Sequence, residues 1–163
     1  MDAYEIVNAL NQVYNIADSL DDTGVAGVKA ISNGQYTTRE VLKLELSQFL
    51  LFIANGNSSF TDGEVAFVNL VLESDYSSGQ LKQVCSTTVE PNPSTSLTLM
   101  GFISGDKAIN TQNGTKELAM TNLLINLYEA MGSLMVAFDE NPVSKARVIK
   151  YLSGMKSYAM KNV

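Results

Sequence analysis

The first twenty residues carry an apolar side chain at every third or fourth position on a polar background. These positions are Tyr4, Val7, Leu10, Val13, Ile16 and Leu20. Because about 3.6 residues make one turn of an α-helix, the six side chains fall on one face. The pattern predicts an amphipathic helix over residues 2–20. Asp18, Asp21 and Asp22 near its end oppose the helix dipole and predict solvated surface. Residues 23–35 contain three glycines and predict a weaker helix or a loop.

Four later positions combine the residue types that begin a helix. An apolar residue precedes a Ser or Thr N-cap, Glu or Gln follows three residues after the cap, and another apolar residue comes next. The cap hydroxyl accepts a hydrogen bond from a free backbone N–H, and the acid or amide returns one to the cap. The predicted N-caps are Thr37, Thr61, Ser77 and Ser144, the last with Arg147 in place of the acid.

Apolar residues at helical spacing follow each of these caps. The helix after Thr37 is apolar on more than one side and ends at Asn55-Gly56, which is typical of a central helix. With the helix after Thr61, it predicts a helical hairpin over residues 37–75. A shorter helix follows Ser77.

Two prolines, Pro91 and Pro93, interrupt the pattern because neither suits a helix interior. Ser94 is the predicted cap of the next helix, and Gly105-Asp106 and residues 110–114 predict a polar link after it. A second helical hairpin is predicted over residues 115–160, and its first helix is the longest of the chain.

The fold class follows from the spacing of the apolar residues. No stretch of useful length alternates apolar and polar residues as a half-buried strand does. We therefore expect one all-α domain over residues 1–163, a compact bundle of seven or eight helices. The two hairpins, residues 37–75 and 115–160, resemble an internal repeat, because each consists of a helix, a short polar turn and a second helix.

Composition and charge narrow the classes of function. Of the 163 residues 45% are hydrophobic and 17% charged, which is typical of a folded chain. The net charge is −6, and the eleven basic residues are scattered, which argues against a broad nucleic-acid surface. The acidic N-terminus does not resemble a signal peptide, and no apolar stretch is long enough to span a bilayer. We expect a cytoplasmic protein without a membrane partner.

Several sequence features that enzymes commonly use are missing. The chain has no histidine, which is the commonest general base and zinc ligand. Cys85 is the only cysteine and is flanked by Leu81 and Val84, so we expect a buried, inert thiol. Neither of the phosphate-binding patterns GxxxxGKS/T and GxGxxG occurs. The expectation is a non-enzymatic protein without a cofactor.

Two helical segments resemble a known family. The first is residues 45–72, with Phe60-Thr61 followed by Glu64, and the second is residues 123–158, with Asp139 at its turn. Together they resemble the tellurite-resistance TerB-like helical domains, and most closely the version at the N-terminus of certain bacterial AAA-type ATPases. The resemblance implies a bacterial helical domain whose partner is an AAA-type ATPase.

Acids at the two hairpin turns of that family are associated with metal binding. The resemblance matches Glu64 and Asp139 to these acids, and with the nearby Asp62 they are the candidate metal ligands. Asn55 stands where the family has an acid before glycine. A divalent cation prefers several convergent carboxylate oxygens, so we expect a degenerate site. Helix capping by Thr61 and Glu64 is an alternative explanation of the same residues.

Two functional hypotheses remain open. The first is a non-enzymatic interaction domain that docks a partner protein through a helical face, with an AAA-type ATPase as the partner that the resemblance implies. The second is a TerB-like stress-response protein that binds a metal ion or a small ligand. The sequence leaves homo-oligomer formation open.

Overall fold

The computed structural model describes residues 1–162, so the last residue of the predicted domain lies outside the described part. These residues form eight α-helices joined by short links, with no β-strand among them. The helices are α1 Ala3–Asp22, α2 Gly27–Ile31, α3 Thr38–Ala54, α4 Asp62–Leu72, α5 Ser78–Cys85, α6 Leu97–Asn113, α7 Ala119–Phe138 and α8 Pro142–Lys161. Pro93–Thr95 forms a single turn of 3-10 helix. The predicted all-α class is confirmed.

Helix α3 lies at the centre of the bundle and contacts each of the other seven described α-helices. Its buried apolar residues lie on more than one side and include Leu42, Leu46, Phe49, Leu50 and Ile53. A helix that is apolar around much of its circumference is stable only when neighbours cover it. The predicted central helix is therefore confirmed.

Three aromatic rings join α3 to the two long C-terminal helices. Phe49 meets Tyr128 of α7 edge-on, with ring centroids 4.8 Å apart, and lies 5.1 Å from Tyr151 of α8. The two tyrosine rings stack at 5.6 Å. Burial raises the pKa of both tyrosines, which keeps them neutral. Aromatic pairs in these geometries stabilise the packing of α3, α7 and α8 beyond the burial of area alone.

Three of the four predicted N-caps are confirmed. The side chains of Thr37 and Ser77 accept hydrogen bonds from the backbone three residues on, and both form complete capping boxes, with Glu40 and Gln80. Thr61 caps α4 by accepting from the backbone N–H of the residue at N3, at 3.1 Å. A signal confined to six consecutive residues was therefore sufficient to locate these three helix starts.

The predicted cap Ser144 is wrong. Asn141 is the N-cap of α8, and Pro142 occupies the first helical position. Proline favours that position because its missing N–H would have no helical partner there. Ser144 lies inside the first turn of α8 and is buried against α3.

The predicted polar link at Gly105-Asp106 and residues 110–114 is also wrong, because α6 continues through nearly all of it, as far as Asn113. Gly105 packs directly against α1, where a Cβ would collide with the side chain of Leu20. Gly105 and Asp106 thus meet neighbouring helices rather than solvent, whereas residues 111–113 are exposed on the surface of α6. The cap of α6 is Ser96, and the predicted cap Ser94 lies in the 3-10 turn before it.

Helix α7 begins at Ala119 rather than at the predicted Thr115. Gly114 ends α6 in the left-handed conformation, with φ +68°. The hydroxyl of Thr115 then donates to Oδ1 of Asn110 at 2.8 Å, closing a turn instead of starting a helix. The second hairpin therefore has a shorter first helix than the sequence pattern predicts.

Three acidic side chains cap helices other than the ones that carry them. Asp21 accepts from the backbone N–H of Thr38 at 2.8 Å, and Glu45 accepts from that of Leu97 at 3.1 Å. Asp106 accepts from two backbone N–H groups in the first turn of α7. A carboxylate stabilises the free N–H groups and the positive end of a helix dipole. The expectation of solvated surface is thus wrong for Asp21.

Replacing Thr61 with alanine is expected to lower the free energy of unfolding by about 1 kcal/mol, because the N-cap acceptor of α4 is lost. Equilibrium urea unfolding measures the change. Ser59→Ala, at an exposed position in the preceding loop, is the control and should be near neutral. Equal midpoints for the two variants would show that Thr61 does not stabilise α4.

Candidate functional site

Glu64 is one of the three candidate metal ligands, and it has no exposed surface. Its backbone N–H donates to Thr61, while its carboxylate turns inward, where Oε2 accepts a hydrogen bond from Nδ2 of Asn57. The other carboxylate oxygen, Oε1, has no hydrogen-bond partner among residues 1–162. The capping interpretation is therefore confirmed for Thr61, whereas the Glu64 side chain belongs to a buried polar cluster.

This cluster joins the turn after α3 to the start of α8. Oδ1 of Asn57 accepts from the Ser144 hydroxyl at 3.0 Å, and the same hydroxyl lies 2.9 Å from the carbonyl oxygen of Ile53. Asn141 donates its side-chain N–H to the carbonyl oxygen of Gly56 at 2.6 Å. A Cβ on Gly56 would lie 2.6 Å from the Ser144 hydroxyl oxygen, so glycine is required there. Amide and hydroxyl groups thus connect the two hairpin turns.

Burial raises the pKa of Glu64 from 4.5 to about 7. The negative charge of Asp139 contributes in the same direction, and hydrogen bonds from Asn57 and the Thr61 backbone act against it. A carboxyl group that is removed from water and faces another acid favours its neutral form. Glu64 therefore holds its proton more readily than an exposed glutamate, which weakens it as a ligand for a cation near neutral pH.

The structure brings together only two of the three candidate ligands. Glu64 and Asp139 interact electrostatically, while Asp62 is exposed at the first position of α4. Within residues 1–162, no three or more Asp, Glu, Cys or His side chains are grouped so that they could hold a metal ion. Most protein sites for divalent cations use more oxygen ligands than this pair supplies.

Calcium, magnesium or zinc at about 0.1 mM is expected to leave the melting temperature nearly unchanged. A site with a millimolar dissociation constant contributes almost nothing to stability at that concentration. Thermal unfolding with and without each metal measures the effect, and EDTA-treated protein is the control. Calorimetry that found a micromolar site lost in Glu64→Gln or Asp139→Asn would contradict this prediction and favour the metal-binding function.

Cys85 lies at the end of α5 and is buried. Burial, with a smaller contribution from the charge of Glu64, raises the pKa of its thiol from 9.0 to about 11. The thiolate is the reactive form of cysteine, and almost none of it is present at neutral pH. The thiol is therefore inert in the folded protein.

A cleft of about 610 Å³ opens between α3, α8 and the proline-containing segment that precedes α6. Its floor is apolar, and its far wall contains Pro91 and Pro93. The lining residues are Phe49, Phe52, Ile53, Glu90, Pro91, Asn92, Pro93, Ser94, Arg147, Lys150, Tyr151, Ser153, Gly154 and Ser157. Concave, mainly apolar surfaces with a few polar groups are where proteins bind ligands and peptide segments.

Two cationic side chains lie at the rim of this cleft. The guanidinium of Arg147 lies 4.2 Å from the ring centroid of Phe52 and donates to the Phe52 carbonyl oxygen at 2.7 Å. The ammonium of Lys150 pairs with Glu90 across the cleft at 2.9 Å, and both side chains are more than half exposed. Arg147 is therefore fixed, whereas Lys150 is held by a surface ion pair of the kind that contributes little to stability.

The sequence patterns missed the cleft, although one signal pointed towards it. Arg147 was the residue that broke the capping pattern at Ser144, and it lies at the cleft edge instead. The prolines correctly predicted a break but not a wall, because packing of Pro93 on Gly154 brings two distant segments together. A Cβ on Gly154 would lie 2.5 Å from Cγ of Pro93.

None of the helices within residues 1–162 is both long enough and apolar enough to cross a membrane. No protein-family model, no curated protein and no solved structure matches this chain. The resemblance to TerB-like domains therefore stays a prediction.

Proposed function

We propose that this chain is a non-enzymatic interaction domain that binds a segment of a partner protein in the cleft between α3, α8 and residues 90–94. The observation that carries the proposal is the cleft itself, an open concavity of about 610 Å³ with an aromatic floor and a proline wall. The partly exposed ring of Phe52, with the guanidinium of Arg147 over it, lines the cleft, and so does the largely buried ring of Tyr151. Aromatic side chains and arginine are enriched where proteins recognise one another. The proposal requires no catalytic group.

The rigidity of the cleft walls supports the same function. Tyr151 packs on Phe49 and is stacked on Tyr128, so the floor is anchored in the core. Arg147 is fixed by its hydrogen bond to the Phe52 carbonyl oxygen. A surface that is already ordered before binding loses little conformational entropy when the partner arrives. We propose an AAA-type ATPase as the partner, as the resemblance implies.

Selection of binders from a display library of random peptides of about twelve residues tests the proposal. Anisotropy of fluorescein-labelled peptides measures their affinity. Ser153→Trp places a large ring in the cleft from an exposed position of α8 and should abolish binding. Ile149→Trp is the matched control, because Ile149 is exposed on the same helix and does not line the cleft.

Circular dichroism and urea unfolding of both tryptophan variants establish that they fold as the parent protein does. Peptides that bind the parent and Ile149→Trp equally, but not Ser153→Trp, would support the function. A selection that yields no binder, or binders indifferent to Ser153→Trp, would overturn it.

A further inference from the structure

We infer that the occupant of the cleft is an extended, acidic segment of a partner protein, with its backbone running along α8 and one apolar side chain on the aromatic floor. This inference rests on the proposed function and names the chemistry of the partner. It is carried by the distribution of charge on α8 relative to the rest of the molecule.

Helix α8 is the cationic element of an acidic protein. The chain has a net charge of −6, yet the sequence of α8 contains no acid and holds five of the eleven basic residues, Lys145, Arg147, Lys150, Lys156 and Lys161. Charge complementarity between a cationic surface and an acidic ligand speeds encounter and selects the partner. The rest of the surface is net negative and would repel an acidic segment, whereas α8 would attract it.

The cleft face of α8 carries three of these five charges, placed towards its two ends. Arg147, Lys150 and Gly154 line the cleft, and Lys161 follows Gly154 at a spacing of seven residues, which puts it on the same helix face. Ser153 and Ser157 lie between the charged ends. Pro93 packs on Gly154, so the open part of this face consists of Ser153 and Ser157, exposed small residues that leave room for a peptide backbone beside the proline segment.

The length of this face sets the length of the segment. Arg147 and Lys161 are fourteen positions apart, which corresponds to about 21 Å along the helix. An extended chain rises about 3.3 Å per residue, so about six residues would cover the face. Carboxylates near both ends of such a segment would meet Arg147 or Lys150 at one end and Lys161 at the other.

In the free protein, Glu90 already pairs with one of the cations of this face. Its carboxylate pairs with Lys150 across the cleft at 2.9 Å, and it is the only acid among the cleft-lining residues of the described chain. An acidic ligand has to compete with it for Lys150. Removing the Glu90 charge should therefore strengthen binding, while removing the Lys150 charge should weaken it.

The test uses the selected peptides that bind the parent protein but not the Ser153→Trp variant. We expect them to be rich in Asp and Glu, with an aromatic or aliphatic residue between the acids. Lys150→Gln should weaken their binding about two- to fivefold, and Glu90→Gln should strengthen it by a similar factor, since exposed charge pairs contribute of this order. Both effects should shrink at high salt, because ions screen exposed charges.

The inference would be overturned, and the proposed function would stand, if the peptides whose binding Ser153→Trp abolishes were neutral or basic. The same holds if Lys150→Gln and Glu90→Gln changed their affinity equally. Selected peptides indifferent to Ser153→Trp would overturn both. Sedimentation showing a dimer that Ser153→Trp dissociates would assign the cleft to a second copy of the chain. Competition by a single-stranded oligonucleotide that matches or exceeds the peptides would assign it to a nucleic acid, and either result would contradict the inference.

Discussion

Replacing Asp106 with alanine is expected to lower the free energy of unfolding by about 3 kcal/mol. The Asp106 carboxylate accepts from the backbone N–H groups of Met120 and Thr121, at 3.1 and 2.8 Å, and from the Thr121 hydroxyl at 2.6 Å. Both Asp106 and Thr121 are buried, so water cannot replace these bonds. The variant leaves buried donors without an acceptor and removes a negative charge from the positive end of α7.

Equilibrium urea unfolding, followed by circular dichroism, measures this loss. Asp22→Ala is the matched control, because Asp22 is an exposed acid at the end of α1 and its loss should change stability by less than about 0.5 kcal/mol. Asp106→Asn keeps one acceptor oxygen and should lie between the two. If Asp106→Ala were as stable as the control, the start of α7 would not depend on this carboxylate.

Replacing Glu64 with glutamine is expected to stabilise the protein at pH 8 by about 3 kcal/mol and to have little effect near pH 4.5. The pKa of Glu64 is raised to about 7 in the folded state, from 4.5. Between these two values the folded protein binds more protons than the unfolded chain. The stability of the parent protein therefore falls as the pH rises through this window and levels off above it, whereas glutamine cannot ionise.

The difference in unfolding free energy between the variant and the parent, measured by urea unfolding from pH 4.5 to 8, isolates Glu64 from other titrating groups. Glutamine keeps an acceptor for Asn57 and places an N–H donor where Oε1 has no partner within residues 1–162. Glu129→Gln, at an exposed position of α7, should show no such pH dependence. A variant that was less stable than the parent at pH 8 would mean that ionised Glu64 stabilises the fold.

Helix starts show where reasoning from the sequence succeeds and where it fails. Thr37 and Ser77 were found because the cap and its partner lie within four residues of each other, so both are visible in a short window. Ser144 failed because Pro142 and Asn141 offered a competing start three residues earlier. Local chemistry identified a helix in each case, and only the choice between adjacent starts was wrong.

The candidate site shows a different kind of failure. The resemblance singled out Asp62, Glu64 and Asp139 as a group, and the structure exposes the first and buries the second. Side-chain identity does not reveal that Glu64 turns towards Asn57, because the polarity of the surroundings depends on α8 packing over the turn. The raised pKa follows from that packing and not from the residue type.

The sequence by itself determined the all-α class, the central position of α3 and three helix starts, because each depends on residues within about one or two helical turns of one another. Only the tertiary structure decided that Asp21, Glu45 and Asp106 cap helices other than their own and that a cleft lies beside α8. These features need segments that are far apart in the chain to meet at hydrogen-bond distance. A carboxylate that opposes its own helix dipole can stabilise another helix, and no local pattern contains the position of that second helix.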